Sequence, residues 1–239
     1  MKIVKQLLLL CQFKFYIMAT TKKASAKKTI LDDYVIISNF MNDILVHNEE
    51  PKNIYIFCEK HAISEADFYS FFGSFETLKQ EIWVKFFENA TASIEKDEAY
   101  KNYTDKDKLL ALYFTLFEIM NLNRSYILFT LKENKQGLKN LKFLKQFRNR
   151  FKEFIIDIIR QSATDGNEKF LKVSEPVFSE GAWIQFLFLL KFWMDDTSKG
   201  FEKTDVLIEK SVNTVVGLLD TKQLENLFDL GKFLWKERN

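Results

Sequence analysis

The chain has 239 residues, 47% of them hydrophobic, enough to bury one large core or two small ones. Seven glycines and two prolines leave few breakers for hairpins or sandwich corners, which argues against an all-β fold and for helices rich in Leu, Lys, Glu and Phe. The formal net charge of +2 hides an asymmetry: residues 1–27 carry six basic groups and no acid, residues 28–81 carry four basic groups against ten acids, and the remainder is close to balance at 25 against 23.

Residues 1–17 contain an apolar run interrupted by Lys14 and followed by no clean small-residue cleavage site, so a secretory signal is not expected. Met18 opens a hydrophilic stretch of the kind that starts a cytoplasmic protein, and residues 1–17 are expected to be an over-extended start. Residues 1–28 are thus read as a flexible basic segment whose Lys22, Lys23, Lys27 and Lys28 either solubilise the chain or track phosphates. The most apolar later run, Ala182 to Met194, is short and contains Lys191, too little for a membrane span. Two cysteines, Cys11 and Cys58, form no spaced motif, which fits a reducing cytoplasm and no disulfide framework.

Between residues 29 and 80 the pattern predicts three short helices. Ile30, Tyr34, Ile37, Met41 and Ile44 step by three and four, one buried stripe of a first helix closing near His47. After Glu49, Glu50 and Pro51 a second helix turns Ile54, Phe57 and Cys58 inward, and His61, Ala62 and Ile63 make a tight turn. Ser64, three residues before Asp67, is an N-cap candidate for a third helix carrying Phe68, Tyr69, Phe71 and Phe72. Two helices joined by a three-residue turn form a helix-turn-helix unit, whose last helix can enter a major groove. Phe68, Phe71 and Phe72 are expected to pack in the core.

The segment CEKHAISEADFYSFFGSFETLKQEIW, Cys58 to Trp83, resembles the N-terminal signature of TetR-family transcriptional regulators through Ile63, Ser64, Phe68, Tyr69, Phe71, Phe72, Ser74, Glu76 and Leu78. Gly181 to Asp220 resembles the last two helices of such proteins. The resemblance implies an all-α fold: a three-helix helix-turn-helix module over residues 29–80, then a helical ligand-binding and dimerisation domain over 81–239. It also implies a homodimer, and Tyr69 as a phosphate contact. Three positions depart from the family where DNA would be met: Glu65 and Asp67 are acidic, and Phe75 stands where a Lys is usual. Ala62 replaces a turn glycine. DNA contacts are accordingly expected from Lys22, Lys23, Lys27, Lys28, Lys52, Ser64, Glu65, Asp67 and Tyr69, with Lys60 and helix-start amides contributing.

Beyond a polar joint at residues 97–108, Phe114, Phe117, Tyr126, Phe129, Phe186 and Trp193 are expected to line a site for a long apolar molecule. Glu118 and Arg124 either orient that ligand or stand half-exposed. The stretch Lys132 to Lys152 holds eight basic residues and one acid with leucines and phenylalanines at helical spacing, read as one basic amphipathic helix that is either a solvated face or a patch for an anionic membrane surface. Trp183, Phe186, Leu190, Leu207, Val212, Val215 and Leu219 are expected at a dimer interface, and a final amphipathic segment, residues 221–238, is expected to pack on the domain or dimer. His47 and His61 have no nucleophile or ligand spacing beside them and read as surface or turn residues. No cofactor, metal or catalytic motif is expected, nor an enzyme. Two functions follow: a cytoplasmic homodimeric regulator sensing a small apolar ligand, or a TetR-fold protein that has lost DNA binding and binds lipid or isoprenoid molecules at or near a membrane surface.

Overall fold

A computed structural model describes residues 31–133, 142–162 and 168–218. Among them are nine α-helices and no strand, the all-α class expected. The helices are α1 (Asp33–His47), α2 (Ile54–His61), α3 (Glu65–Phe71), α4 (Phe75–Ile94), α5 (Asp105–Leu122), α6 (Arg124–Glu133), α7 (Lys145–Ser162), α8 (Glu168–Asp195) and α9 (Glu202–Leu218). They divide into two compact units. One comprises residues up to Glu98 with Thr115–Phe154, the other Ala99–Phe114 with residues from Ile155 on.

In the first unit, short polar residues start each of the first four helices. Asp32, Asn53, Ser64 and Ser74 accept from the backbone amides of Val35, Ile56, Asp67 and Thr77, satisfying donors that a helix start leaves open. Ser74 and Thr77 cap reciprocally. Ile36, Ile37, Phe40, Met41 and Ile44 are the buried face of α1, close to the expected stripe, except that Tyr34 is 45% exposed. Ile30 lies outside the described residues. Phe40, Phe57, Phe68 and Phe75, one ring from each of α1 to α4, meet with centroids 5.1 to 6.2 Å apart, in tilted and edge-on geometries that suit aromatic quadrupoles. A second cluster joins Trp83 and Phe87 of α4 to Phe147 and Phe151 of α7.

In the second unit α8 and α9 bury Trp183, Phe186, Leu189, Leu190, Trp193, Ile208 and Val212. Tyr113 Oη donates to the Ala182 carbonyl at 3.1 Å and to Gln185 Oε1 at 3.3 Å, and Gln185 Nε2 donates to Ser211 Oγ at 3.0 Å. This is a satisfied polar chain inside an apolar setting. The α8–α9 turn hangs on the buried carboxylate of Asp196, which accepts from the amides of Ser198 and Thr204 and from both their hydroxyls at 2.7 to 2.9 Å. Burial works to raise the Asp196 pKa, but these four donors outweigh it and hold it at about 2.

Two outcomes follow. Ala62 sits in the left-handed region at φ 52°, where a Cβ costs about 1 kcal/mol; Ala62→Gly is expected to stabilise the protein by about that amount, measured by chemical denaturation. Asp196→Asn, which keeps one acceptor and turns an NH2 toward donors, is expected to cost about 1–3 kcal/mol at neutral pH. Because the folded pKa is depressed, the carboxylate's contribution is complete above its unfolded value near 3.9 and fades as pH falls toward about 2. The gap between wild type and variant therefore closes in that window, which acid titration of the melting temperature reads directly.

Candidate functional site

α2, the Ala62–Ile63–Ser64 turn and α3 have the form of a helix-turn-helix. α2 ends on the left-handed Ala62, whose amide bonds back to the Cys58 and Glu59 carbonyls, and the chain re-enters helix after only Ile63 and Ser64. Ser64 Oγ accepts from the Asp67 amide at 3.0 Å and donates to Asp67 Oδ2 at 2.6 Å. Asp67 thus holds the capping hydroxyl through its carboxylate, and with Glu65 it sets negative charge at the positive end of the helix dipole. The acids that looked misplaced for DNA have a local structural cause. Glu65, Asp67 and Tyr69 are exposed, Tyr69 at 51%, while Phe68 and Phe72 are buried. Phe71, expected in the core, is instead 42% exposed.

Phe75 also has a structural role. Its ring closes the cluster with Phe40, Phe57 and Phe68, so position 75 is a packing position. Phe75→Lys is therefore expected to destabilise the first unit by about 1–3 kcal/mol, by opening the cluster to a charge. Denaturant unfolding followed by Trp83 fluorescence is the check, and unchanged stability would remove the packing role.

The cations of this module are largely committed to nearby acids. Lys60 Nζ lies 2.8 Å from Asp43. Lys79 bridges Glu50 and Glu76 at 2.8 and 2.6 Å, and Lys85 meets Asp33 at 2.8 Å and lies over the Tyr34 ring at 5.0 Å. Burial disfavours the Lys79 ammonium, but its two carboxylate partners more than restore it and its pKa is raised. Lys52 is exposed beside the α2 N-cap. Lys22, Lys23, Lys27 and Lys28 lie outside the described residues.

Asp43 carried no signal in the sequence beyond being an acid on α1. It is 4% exposed, accepts from Lys60 and from His61 Nε2 at 2.9 Å, and thereby ties α1 to the last turn of α2. Burial pushes its pKa up, yet the hydrogen bonds and charges of Lys60 and His61 prevail and hold it below the ordinary value. His61 is accordingly a half-buried partner of a carboxylate, whereas His47 is exposed and closes α1 through Nδ1 and the Asp43 carbonyl. An open depression of about 460 Å³ beside the end of α3 is lined by Asp33, Phe71, Thr77, Glu81 and others; its carboxylates make it a poor seat for an apolar molecule.

Of the expected ligand-lining residues, Phe117, Tyr126 and Phe129 belong to the first unit and Phe114, Phe186 and Trp193 to the second. Phe117, Tyr126, Phe186 and Trp193 are buried, and Phe114 and Phe129 are half-buried, as are Glu118 and Arg124. Burial and the nearby Glu50 and Glu76 carboxylates drive the Tyr126 phenol far above its usual pKa.

Of the expected dimer residues, Phe186, Leu190 and Val212 are fully buried within the protomer and Trp183 nearly so. Leu207 and Val215 are half-buried, and Leu219 lies outside the described residues. Among the described side chains of α8 and α9, Val177, Ile184, Phe188, Phe192 and Val206 are large, apolar and exposed. The expected single helix from Lys132 to Lys152 contains a 3-10 turn, Lys142–Leu144, immediately before α7 begins at Lys145. Lys142, Lys145, Arg148 and Arg150 are exposed opposite buried Leu144, Phe147 and Phe151. Residues 134–141, with Lys135 and Lys139, and the final segment 221–238 lie outside the described residues.

No helix among the described residues is long and apolar enough to cross a membrane, and no group of three or more His, Cys, Asp or Glu there is placed to hold a metal. A helix-turn-helix followed by an all-helical domain defines a class of two-part regulators. Residues 108–234, more than half the chain, match the family described as tetracyclin repressor-like, C-terminal domain. The chain belongs to this TetR family. No curated protein matches it.

Proposed function

We propose that this protein is a homodimeric transcriptional regulator whose C-terminal domain takes a small apolar ligand and whose paired helix-turn-helix heads bind duplex DNA. The observation that carries this reading is the capped α2–α3 unit preceding a TetR-like C-terminal domain. Ligand binding would change the spacing of the two heads and so their fit to two half-sites. With Glu65 and Asp67 at the head of α3, overall attraction to phosphate is weak, and the base-reading share is correspondingly large, since a carboxylate can accept from cytosine N4. Val177, Ile184, Phe188 and Phe192, an exposed apolar row on α8, are the residues we assign to the dyad.

The acidic α3 also favours a second reading, a lipid- or isoprenoid-binding protein that has left DNA and works near a membrane surface. Duplex titration at about 50 mM salt, where the electrostatic contribution is strong, separates the two. Saturable binding supports regulation, and its absence together with association to anionic vesicles supports the second reading. Native mass spectrometry of gently purified protein tests for the apolar ligand. Light scattering at micromolar concentration is expected to give twice the 28.4 kDa chain mass, and Phe188→Glu, which sets like charges across the dyad, is expected to give the monomer. A monomeric wild type would overturn the dimer.

A further inference from the structure

The regulator reading leaves one buried polar cluster without a role. Asp43 stands on the inner face of α1 among Phe40, Met41 and Ile44, all buried, where a carboxylate is costly and an apolar residue of similar size would serve stability as well. It is retained with two partners, Lys60 and His61, the last two residues of α2. The left-handed Ala62 and the start of α3 follow at once. His61 also lies against the Phe57 ring at 4.8 Å, so Asp43 and Phe57 hold the imidazole from two sides. Whatever alters the Asp43–His61 contact alters the anchor from which the recognition helix departs.

Histidine is the side chain whose charge ordinarily changes between pH 5 and 8. The charged groups around this one are few. α1 contributes Asp43 and, through its carbonyl, His47; α2 contributes Glu59 and Lys60; the first turn of α3 contributes Glu65 and Asp67; on α4, Glu76 is paired with Lys79, which also meets Glu50. An imidazolium makes a stronger hydrogen bond to carboxylate than a neutral ring does.

We infer that Asp43 and His61 are positioning residues for the recognition helix, and that charging of His61 tightens this anchor and strengthens duplex binding as pH falls from 8 to 6. The inference rests on the DNA-binding reading for its second half only. On full-length protein, anisotropy with a labelled duplex of random sequence at about 50 mM salt should show a severalfold higher wild-type affinity at pH 6 than at pH 8. His61→Gln, which keeps a hydrogen bond to Asp43 but cannot charge, should lose most of that gain, and His47→Gln should keep it. A His61→Gln variant retaining the full gain overturns the assignment. In the free protein, the backbone amide resonances of residues 64–69 should move with the His61 ring titration and cease to do so in Asp43→Asn or His61→Gln; amides indifferent to the ring overturn the positioning role. If the wild type does not bind this random duplex at either pH, the pH-dependent affinity falls, and the amide titration alone decides the anchor.

Discussion

The first unit depends on one contact set, the meeting of Phe40, Phe57, Phe68 and Phe75. α2 and α3 have eight and seven residues, far below the length at which an isolated helix is stable in water. Their caps satisfy the first amides, but only burial against neighbours keeps them helical. Phe57 touches a ring from each of α1, α3 and α4, so it is the residue through which the two short helices are tied to the longer ones. A packing demand of this kind explains the aromatic ring at position 75.

The electrostatics of the same module are organised inward. Asp43, Asp33, Glu50 and Glu76 engage Lys60, Lys85 and Lys79, and Asp67 is engaged by Ser64. Such partly buried pairs hold α1, α2 and α4 together at modest net gain. They also leave the outer surface with little positive field, which is why the net charge of this region bears so directly on the choice between DNA and another partner. Exposed Tyr69, whose ring stands edge-on to Phe68 at 5.7 Å, is held in orientation by the core beneath it.

The second unit meets a different constraint. α8 is apolar on more than one face, with Trp183, Phe186, Leu190 and Trp193 turned inward and Ile184, Phe188 and Phe192 turned outward. A helix of that composition has to be covered on both sides. The Tyr113–Gln185–Ser211 chain and the Asp196 turn fix which side is inner, because each buried polar group has its partners in only one arrangement.

Helical class, the capped helix-turn-helix and its three-residue turn were legible in the sequence because they rest on local rules: spacing by three and four, a serine three residues before an acid, few breakers. Of the TetR-like C-terminal domain, matched over residues 108–234, only Gly181 to Asp220 was legible as a resemblance. Local rules do not rank competing apolar stripes, so the dimer residues were expected one face away from those left exposed, and Phe71 was expected inside. They also do not reveal a break in a periodic run: the stretch from Lys132 to Lys152, expected as a single helix, contains a 3-10 turn at Lys142–Leu144. Least legible was Asp43. Its partners lie 17 and 18 residues away, and only the packing of α1 against α2 makes that acid a buried carboxylate bound to a lysine and a histidine. Sequence by itself determined the helical class and where the first short helices start; the tertiary structure decided which faces are inner and which charges meet, because burial and ion pairing depend on neighbours in space that periodicity along one chain segment does not contain.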